Sequence, residues 1–268
     1  MTQVTEEQEQ LRYANYLELE TLLGLQHPRS DPPEHDELLF IVFHQISELW
    51  FKQLLHEIDR VKPAFTGGHT FTAIGLLTRI RRILHAVVNQ MDILETLTPL
   101  GFSAFRNRLD TASGFQSMQY RELQFSLGMK RAGALDHYPH DIAGIDRARQ
   151  RLEEPSLVDH FHDFLEHHGV EIPEEIRNRP ATEPAPPSPV IQAGLLDRYR
   201  ADRELRIVFE LLTDIDELLQ QWRYRHVKVV ERTIGNKPGT AGSLGVAYLK
   251  ESLFLQAFPD LWAIRHDL

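Results

Sequence analysis

Two histidines of this chain stand where helical periodicity places an imidazole on or beside an apolar face, and His226 is the first of them. It follows Trp222 by four residues and continues the apolar stripe of the longest helical segment. One interpretation is a buried, neutral histidine that is satisfied by a backbone carbonyl. The other is a ligand to haem or a metal ion, in which case Arg223 and Arg225 would pair with anionic cofactor groups. The spacing leaves both interpretations open.

His44 and Arg106 each stand one helical turn after a phenylalanine. His44 follows Phe40 by four residues, so it lies either at the edge of a core face or beside a flat apolar ligand with one polar N–H. Arg106 follows Phe102 by the same spacing. Its guanidinium can grip a carboxylate through two hydrogen bonds, or it can lie along the surface as an ordinary exposed arginine.

Two other groups of residues are weaker candidates for a binding site. The glycine-rich run at residues 239–243 could bind an anion at a helix N-terminus, but a flexible loop with an N-cap serine explains it as well. A histidine cluster matches no zinc spacing, and its acidic neighbours favour a solvated face; it comprises His137, His140, His160, His162, His167 and His168. No histidine has a glutamate three positions before it, which argues against a carboxylate-bridged di-iron bundle.

The composition restricts the class of protein. With 268 residues, of which 42% are hydrophobic and 25% charged, the chain is long enough to bury a globular core. The net charge of −10 disfavours nucleic acid and anionic membranes as partners. Because cysteine is absent, disulfides, thiolate catalysis and Cys-ligated haem or zinc are excluded. Without a visible secretory signal or membrane-length apolar run, we expect a cytoplasmic protein.

The apolar spacing is helical along most of the chain and predicts an all-α, single-domain bundle over residues 1–268. The main predicted helices cover residues 6–26, 36–61, 72–97 and 193–234. In the second helix, the expected buried stripe is Leu39, Val42, Ile46 and Leu49. Five prolines between positions 180 and 189 predict an exposed connector at about residues 180–190. The helix at residues 193–234 exceeds what one small domain needs, which favours packing against other subunits.

Separated motifs along nearly the whole chain form one recognisable pattern. They are Tyr13-Ala-Asn-Tyr16, Phe40-Ile-Val-Phe-His44-Gln-Ile-Ser-Glu-Leu-Trp50, Leu94-Glu-Thr-Leu-Thr-Pro99, Phe105-Arg106, Ala112-Ser113-Gly-Phe-Gln-Ser117, Trp222-Arg-Tyr-Arg-His226, Lys237-Pro-Gly-Thr240-Ala-Gly-Ser243 and Phe258-Pro-Asp-Leu-Trp262. Together, these motifs resemble the tryptophan 2,3-dioxygenase family of haem enzymes, which open the indole ring of tryptophan.

The resemblance implies a homotetramer whose helices hold haem b. It further implies that ferrous haem uses O2 as co-substrate to convert L-tryptophan, or a close analogue, to N-formylkynurenine. By this resemblance, His226 matches the proximal haem ligand, and His44 matches the distal histidine near the indole N–H. Ser113 matches a serine of the distal pocket.

The same resemblance assigns residues to the substrate. Phe40 matches the aromatic wall against the indole ring, and Arg106 matches the residue that holds the substrate carboxylate. Thr240 matches a loop threonine at the amino-acid end of the substrate. Tyr13 and Tyr16 match an N-terminal segment that reaches the pocket of a neighbouring subunit in the family.

Several positions depart from the commonest bacterial pattern of the family. Phe102 stands where some members have a tyrosine that bonds the substrate carboxylate, which leaves more of the grip to Arg106. Ala241 and Leu244 alter the glycine-rich loop. These changes keep two alternatives open: a related haem monooxygenase that makes an oxindole or hydroxyindole from tryptophan or a substituted tryptophan, and a non-catalytic haem sensor. A carboxylate clamp at Arg106 argues against the sensor.

Overall fold

The computed structural model describes residues 10–136, 138–235, 237 and 246–268, and within these ranges the chain forms helices and no β-strand. The first half contains α1 (Tyr13–Tyr16), α2 (Leu19–Leu23), α3 (His35–Thr66), α4 (Thr70–Asn89), α5 (Met91–Leu94), α6 (Pro99–Arg106) and α7 (Met118–Ser126). The second half contains α8 (Ile145–Glu153), α9 (Leu157–His167), α10 (Glu174–Arg177), α11 (Pro189–Ala201), α12 (Arg203–Ile234), α13 (Val246–Glu251) and α14 (Pro259–Ala263). The all-α prediction is confirmed.

Three helices form the centre of the bundle, because α4 packs against both α3 and α12. Each contributes an apolar stripe at helical spacing to one large core, which α9 extends on the far side of α3. Fully buried members of this core include Leu54, Ile58 and Phe65 from α3, Leu77 and Ile80 from α4, and Leu212 and Ile215 from α12. Of the helices in the described ranges, none is long and apolar enough to cross a membrane.

The buried face of α3 differs from the prediction. Ile46 and Leu49 are 40% and 51% exposed, whereas Phe43, Phe51 and Leu54 point into the protein. The sequence prediction was wrong because apolar residues occupy two faces in the first half of this helix, so periodicity alone could not select the inner one. The helix also runs past Pro63 to Thr66 and ends at Gly67. The residues around Pro63 are buried, and this packing offsets the lost hydrogen bond.

The predicted long helix at residues 193–234 is two helices. The backbone at Asp202 is extended, and its carboxylate accepts hydrogen bonds from the backbone N–H groups of Glu204 and Leu205 (2.9 and 3.1 Å). Asp202 therefore caps a new helix, α12, instead of continuing α11. An apolar stripe runs along α12 at helical spacing, since Val208, Leu211 and Ile215 are buried.

The prediction of one N-terminal helix at residues 6–26 is also wrong over residues 10–26, the part of this range that the structure describes. The chain forms the short helices α1 and α2, with Glu18 in a left-handed conformation between them. Tyr13 and Tyr16 are 76% and 69% exposed, and neither α1 nor α2 buries a residue. An amphipathic segment this short is not stable on its own without a packing surface.

The proline-rich stretch lies between α10 and α11, although Pro189 and Val190 already belong to α11, and it is not simply an exposed linker. Arg179 donates hydrogen bonds to Asp159 and to the backbone carbonyl of Glu183. At the other end, the backbone N–H of Ser188 donates to Asp260 (2.9 Å). The connector is therefore fastened to the bundle at both ends.

A buried carboxylate fastens the C-terminal segment to the middle of α12. Asp216 is fully buried and accepts hydrogen bonds from the backbone N–H groups of Ala257 and Phe258 and from the indole N–H of Trp262, at 3.0–3.1 Å. A buried charge is tolerated only when such donors replace its water. Asp216 thus sets where the end of the chain returns to the bundle.

We expect Asp216→Ala to lower the free energy of unfolding by about 3–5 kcal/mol, because three buried donors lose a charged acceptor. Urea unfolding of the two proteins measures this difference. Asp214→Ala is the matched control, since Asp214 is 41% exposed and pairs with Arg81 at 3.2 Å, so its loss should cost less than about 1 kcal/mol. Equal effects of the two changes would contradict the anchoring role.

A second expectation concerns His162 on α9, which is buried. Burial, with Arg179 nearby, lowers the pKa of its imidazole to about 4, below the value of about 6.5 in an unfolded chain. The unfolded chain therefore binds a proton that the folded protein does not, and stability falls as the pH falls from 6.5 to 4. His162→Gln should flatten this slope by up to about 1.4 kcal/mol per pH unit in urea titrations. An unchanged slope would show that His162 binds the same number of protons in the folded and unfolded states, so that its pKa is not lowered by folding.

Candidate active site

One large cavity of about 900 Å³ opens between α3, α6, α7 and α12. Its size lies at the upper end of the range for small-molecule and cofactor sites, about 300–1,000 Å³. Most of its lining is apolar. Six of the residues singled out in the sequence line it together: Phe40, His44, Phe102, Arg106, Ser113 and His226. Tyr13 and Tyr16 lie on the surface instead, and Thr240 lies outside the described residues.

The hydrogen bond of His44 fixes which of its nitrogens is available. Its Nδ1 lies 2.7 Å from the backbone carbonyl of Phe40, one turn earlier in α3. A carbonyl can only accept, so Nδ1 carries the proton and, in the neutral ring, Nε2 has a lone pair. Burial lowers the pKa of His44, which favours this neutral form at physiological pH. His44 therefore offers the cavity a hydrogen-bond acceptor.

His226 differs from His44, because in the part of the chain that is described neither of its nitrogens has a hydrogen-bond partner. Its ring stacks on Trp222, nearly parallel, with 5.4 Å between ring centroids. Burial lowers the pKa of His226 to about 4, and His44 adds to the effect. A neutral imidazole with a free lone pair is the form that binds a metal ion. Among the described residues, no backbone carbonyl bonds to the His226 ring. This argues against the first interpretation of His226, a buried histidine that a carbonyl satisfies.

Aromatic rings line one end of the cavity, beside His44. The Phe40 ring lies 4.2 Å from the His44 ring and 5.7 Å from that of Phe102, measured between centroids. Phe43 contacts the other side of His44 at 5.3 Å. Arg106, half-buried at the end of α6, lines the same end. This end can therefore receive a flat apolar ring with a polar N–H together with an anionic group.

The two arginines beside His226 bind protein groups and not the anionic groups of a cofactor. Arg223 is buried and donates hydrogen bonds to the backbone carbonyls of Ser252 and Leu255, at 3.1 and 2.7 Å. Arg225 forms ion pairs with Asp92 and with Glu95. Both guanidiniums are occupied by protein groups, so the pairing with an anionic cofactor that the sequence suggested is not supported.

Glu48 is a cavity residue that the sequence analysis did not single out. It lies one turn after His44, and its carboxylate accepts hydrogen bonds from Ser117 (2.6 Å) and from Gln119 (2.8 Å). These bonds hold the start of α7 against α3. The four-residue spacing from His44 was a usable signal, but the partners on α7 are distant in sequence and could not be paired from it.

Comparison with known proteins agrees with this geometry. A sequence model described as tryptophan 2,3-dioxygenase matches residues 2–175 and 191–268. The chain belongs to the tryptophan 2,3-dioxygenase family. Family membership also makes it an enzyme. The match omits residues 176–190, which contain the proline-rich connector.

Individual members of the family support the assignment. The chain is 50% identical to a tryptophan 2,3-dioxygenase of Herpetosiphon aurantiacus, over 96% of this chain and 98% of the relative. It is 49% identical to that of Anaeromyxobacter sp. strain K, over 96% of both chains. A third, from Kineococcus radiotolerans, is 41% identical over 99% of this chain and 94% of the relative. The similarity to tryptophan 2,3-dioxygenases therefore spans essentially the whole chain.

Proposed function

We propose that this enzyme uses haem b and O2 to cleave the C2–C3 bond of the indole ring of L-tryptophan, giving N-formylkynurenine. The observation that carries the proposal is the cavity itself, whose lining His226 shares with His44 and Arg106. His226 is neutral and has no hydrogen-bond partner among the described residues. The names of the relatives favour ring cleavage over the one-oxygen alternative.

The residues fit a haem group. His226 has the neutral form that would hold the haem iron, and the cavity that it lines is large and mainly apolar. The indole N–H of Trp222 is a buried donor that finds no acceptor among the described residues, which is typical of a wall that a ligand completes. When bound, haem would supply the activation of O2, while the protein binds and orients the substrate.

His44 would position the substrate rather than deprotonate it. Its Nε2 lone pair can accept the indole N–H, because Nδ1 is committed to the carbonyl of Phe40. The indole N–H is far too weak an acid for an imidazole, whose pKa is about 6.5 when unperturbed, and burial lowers the pKa of His44 further. A single hydrogen bond in a dry cavity is sufficient to fix the orientation of the ring.

Arg106 and the phenylalanines would hold the rest of the substrate. Arg106 can bind the carboxylate through two parallel hydrogen bonds. Phe40 and Phe102 present aromatic surface to the indole ring and exclude water. Ser113 lines the cavity, and we assign it to the distal pocket. We also keep Thr240 as a contact to the amino-acid end of the substrate.

We further propose a homotetramer in which Tyr13 and Tyr16 reach the pocket of a neighbouring subunit. Both side chains are largely exposed, and so are Leu11 (73%) and Leu23 (72%) in the same segment. Apolar side chains this exposed, within one short stretch of chain, indicate an interaction surface.

Two substitutions test the assignment of the histidines. His226→Ala should abolish specific haem binding, since it removes the side chain that would hold the haem iron, whereas His44→Ala should retain haem and lose turnover. Haem titration followed by absorption spectroscopy measures the first effect, and steady-state kinetics the second. If His44→Ala lost haem and His226→Ala kept it, the two roles would be reversed.

The reaction itself is tested by the mass of the product. Reduced, haem-loaded enzyme given L-tryptophan under isotopically labelled O2 should form one product that contains two labelled oxygen atoms. Indole, which lacks the carboxylate that Arg106 would bind, serves as the comparison substrate and should react far more slowly. A product with one labelled oxygen would establish the monooxygenase alternative instead.

A further inference from the structure

The connector between α10 and α11 forms part of the cavity wall. Glu183, Pro184 and Ala185 line the cavity, and Ala185 packs against the main apolar core. The family match omits this stretch, so its role does not follow from family membership. Contact with the cavity makes it more than a linker.

The connector lies at a different end of the cavity from the aromatic rings. Phe102 belongs to a small apolar cluster around α5 and α6, whereas Ala185 contacts the large core of α3, α4, α9 and α12. Trp222 packs against both clusters, and His226 stacks on Trp222. Trp222 thus joins the two clusters, and the imidazole of His226 is stacked on the residue that joins them.

Two polar contacts fasten the connector to the bundle at this end of the cavity. Arg179, whose side chain is 9% exposed, joins the connector to Asp159 at the start of α9. The backbone of Ser188 is bonded to Asp260. Close by, Gly128 approaches Val158 so tightly that an added Cβ would lie 2.8 Å from that side chain. Gly128 and Val158 both line the cavity.

Positive charge is also concentrated at this end. Lys130 and Arg131 lie two and three residues after Gly128 and line the cavity. Lys130 is buried and donates a hydrogen bond to the backbone carbonyl of Glu154. Lys130 is thus occupied by the protein, whereas the exposed guanidinium of Arg131 at an apolar opening suits a flat apolar group that carries carboxylates at its edge, as haem b does.

We propose that residues 183–185 form a wall that retains the cofactor. These residues close the cavity over the edge of the haem, beside Lys130 and Arg131. This inference rests on the proposed function, since it requires haem in the cavity. It gives the connector a specific task in this enzyme: to slow the escape of the cofactor. Pro184 contributes stiffness as well as contact, because its ring restricts the backbone beside the opening.

The test is the rate of haem loss from the full-length holoenzyme to an excess of apomyoglobin, followed by absorption. Ala185→Asp places a charge on an apolar part of the wall, next to the carboxylates of the haem, and should raise the rate by about tenfold or more. Pro187→Asp is the matched control, because it adds the same charge two residues away at an exposed position that does not line the cavity. Its rate should stay within about twofold of the parent.

A second pair of variants avoids the risk that Ala185→Asp fails to fold. Pro184→Gly should raise the rate about threefold or more, whereas Pro187→Gly, with the same gain in backbone freedom, should not. Equal rates for both glycine variants would overturn the retaining wall while leaving the proposed function intact. A parent enzyme that takes up no haem at all would overturn the proposed function instead.

Discussion

The packing of α12 fixes the position of His226, and the rest of the cavity is arranged around it. Leucine, isoleucine and valine side chains of α12 are buried against α4 and α3, so the helix cannot rotate without exposing them. Asp216 holds the C-terminal segment against the same helix. The imidazole of His226 extends this buried stripe into a region that the protein does not fill. A histidine placed in this way is kept neutral by burial and directed by the helix.

The two imidazoles of the cavity show how local bonding separates two roles. His44 uses one nitrogen on the carbonyl of Phe40, which leaves the other as an acceptor. His226 has no such bond within the described part of the chain and is oriented by stacking on Trp222. The first arrangement suits a hydrogen bond to a substrate, and the second suits coordination. Helical spacing alone could not distinguish them, because both residues follow an aromatic residue by four positions.

Much of the site could be predicted, because its residues follow local rules. Helical spacing placed Phe40 beside His44 and put His226 on an inner face, and the sequence pointed to Phe102, Arg106 and Ser113, which also line the cavity. Other features depend on distant contacts: Glu48 pairs with α7, and Arg179 draws the connector onto the bundle. The capping carboxylate of Asp202 was visible in the sequence but was outweighed by the continuous helical pattern on both sides.

The anchoring of the C-terminus also affects the order in which the protein can mature. Ala257, Phe258 and Trp262, the donors to Asp216, lie within the last twelve residues of this sequence. The helices of the central bundle are therefore synthesised before the groups that satisfy this buried carboxylate. Until those groups arrive, Asp216 must remain hydrated, and the adjoining part of the core stays open. Completion of this part of the interior therefore waits until residues 257–262 have been synthesised, well after the helices that surround Asp216.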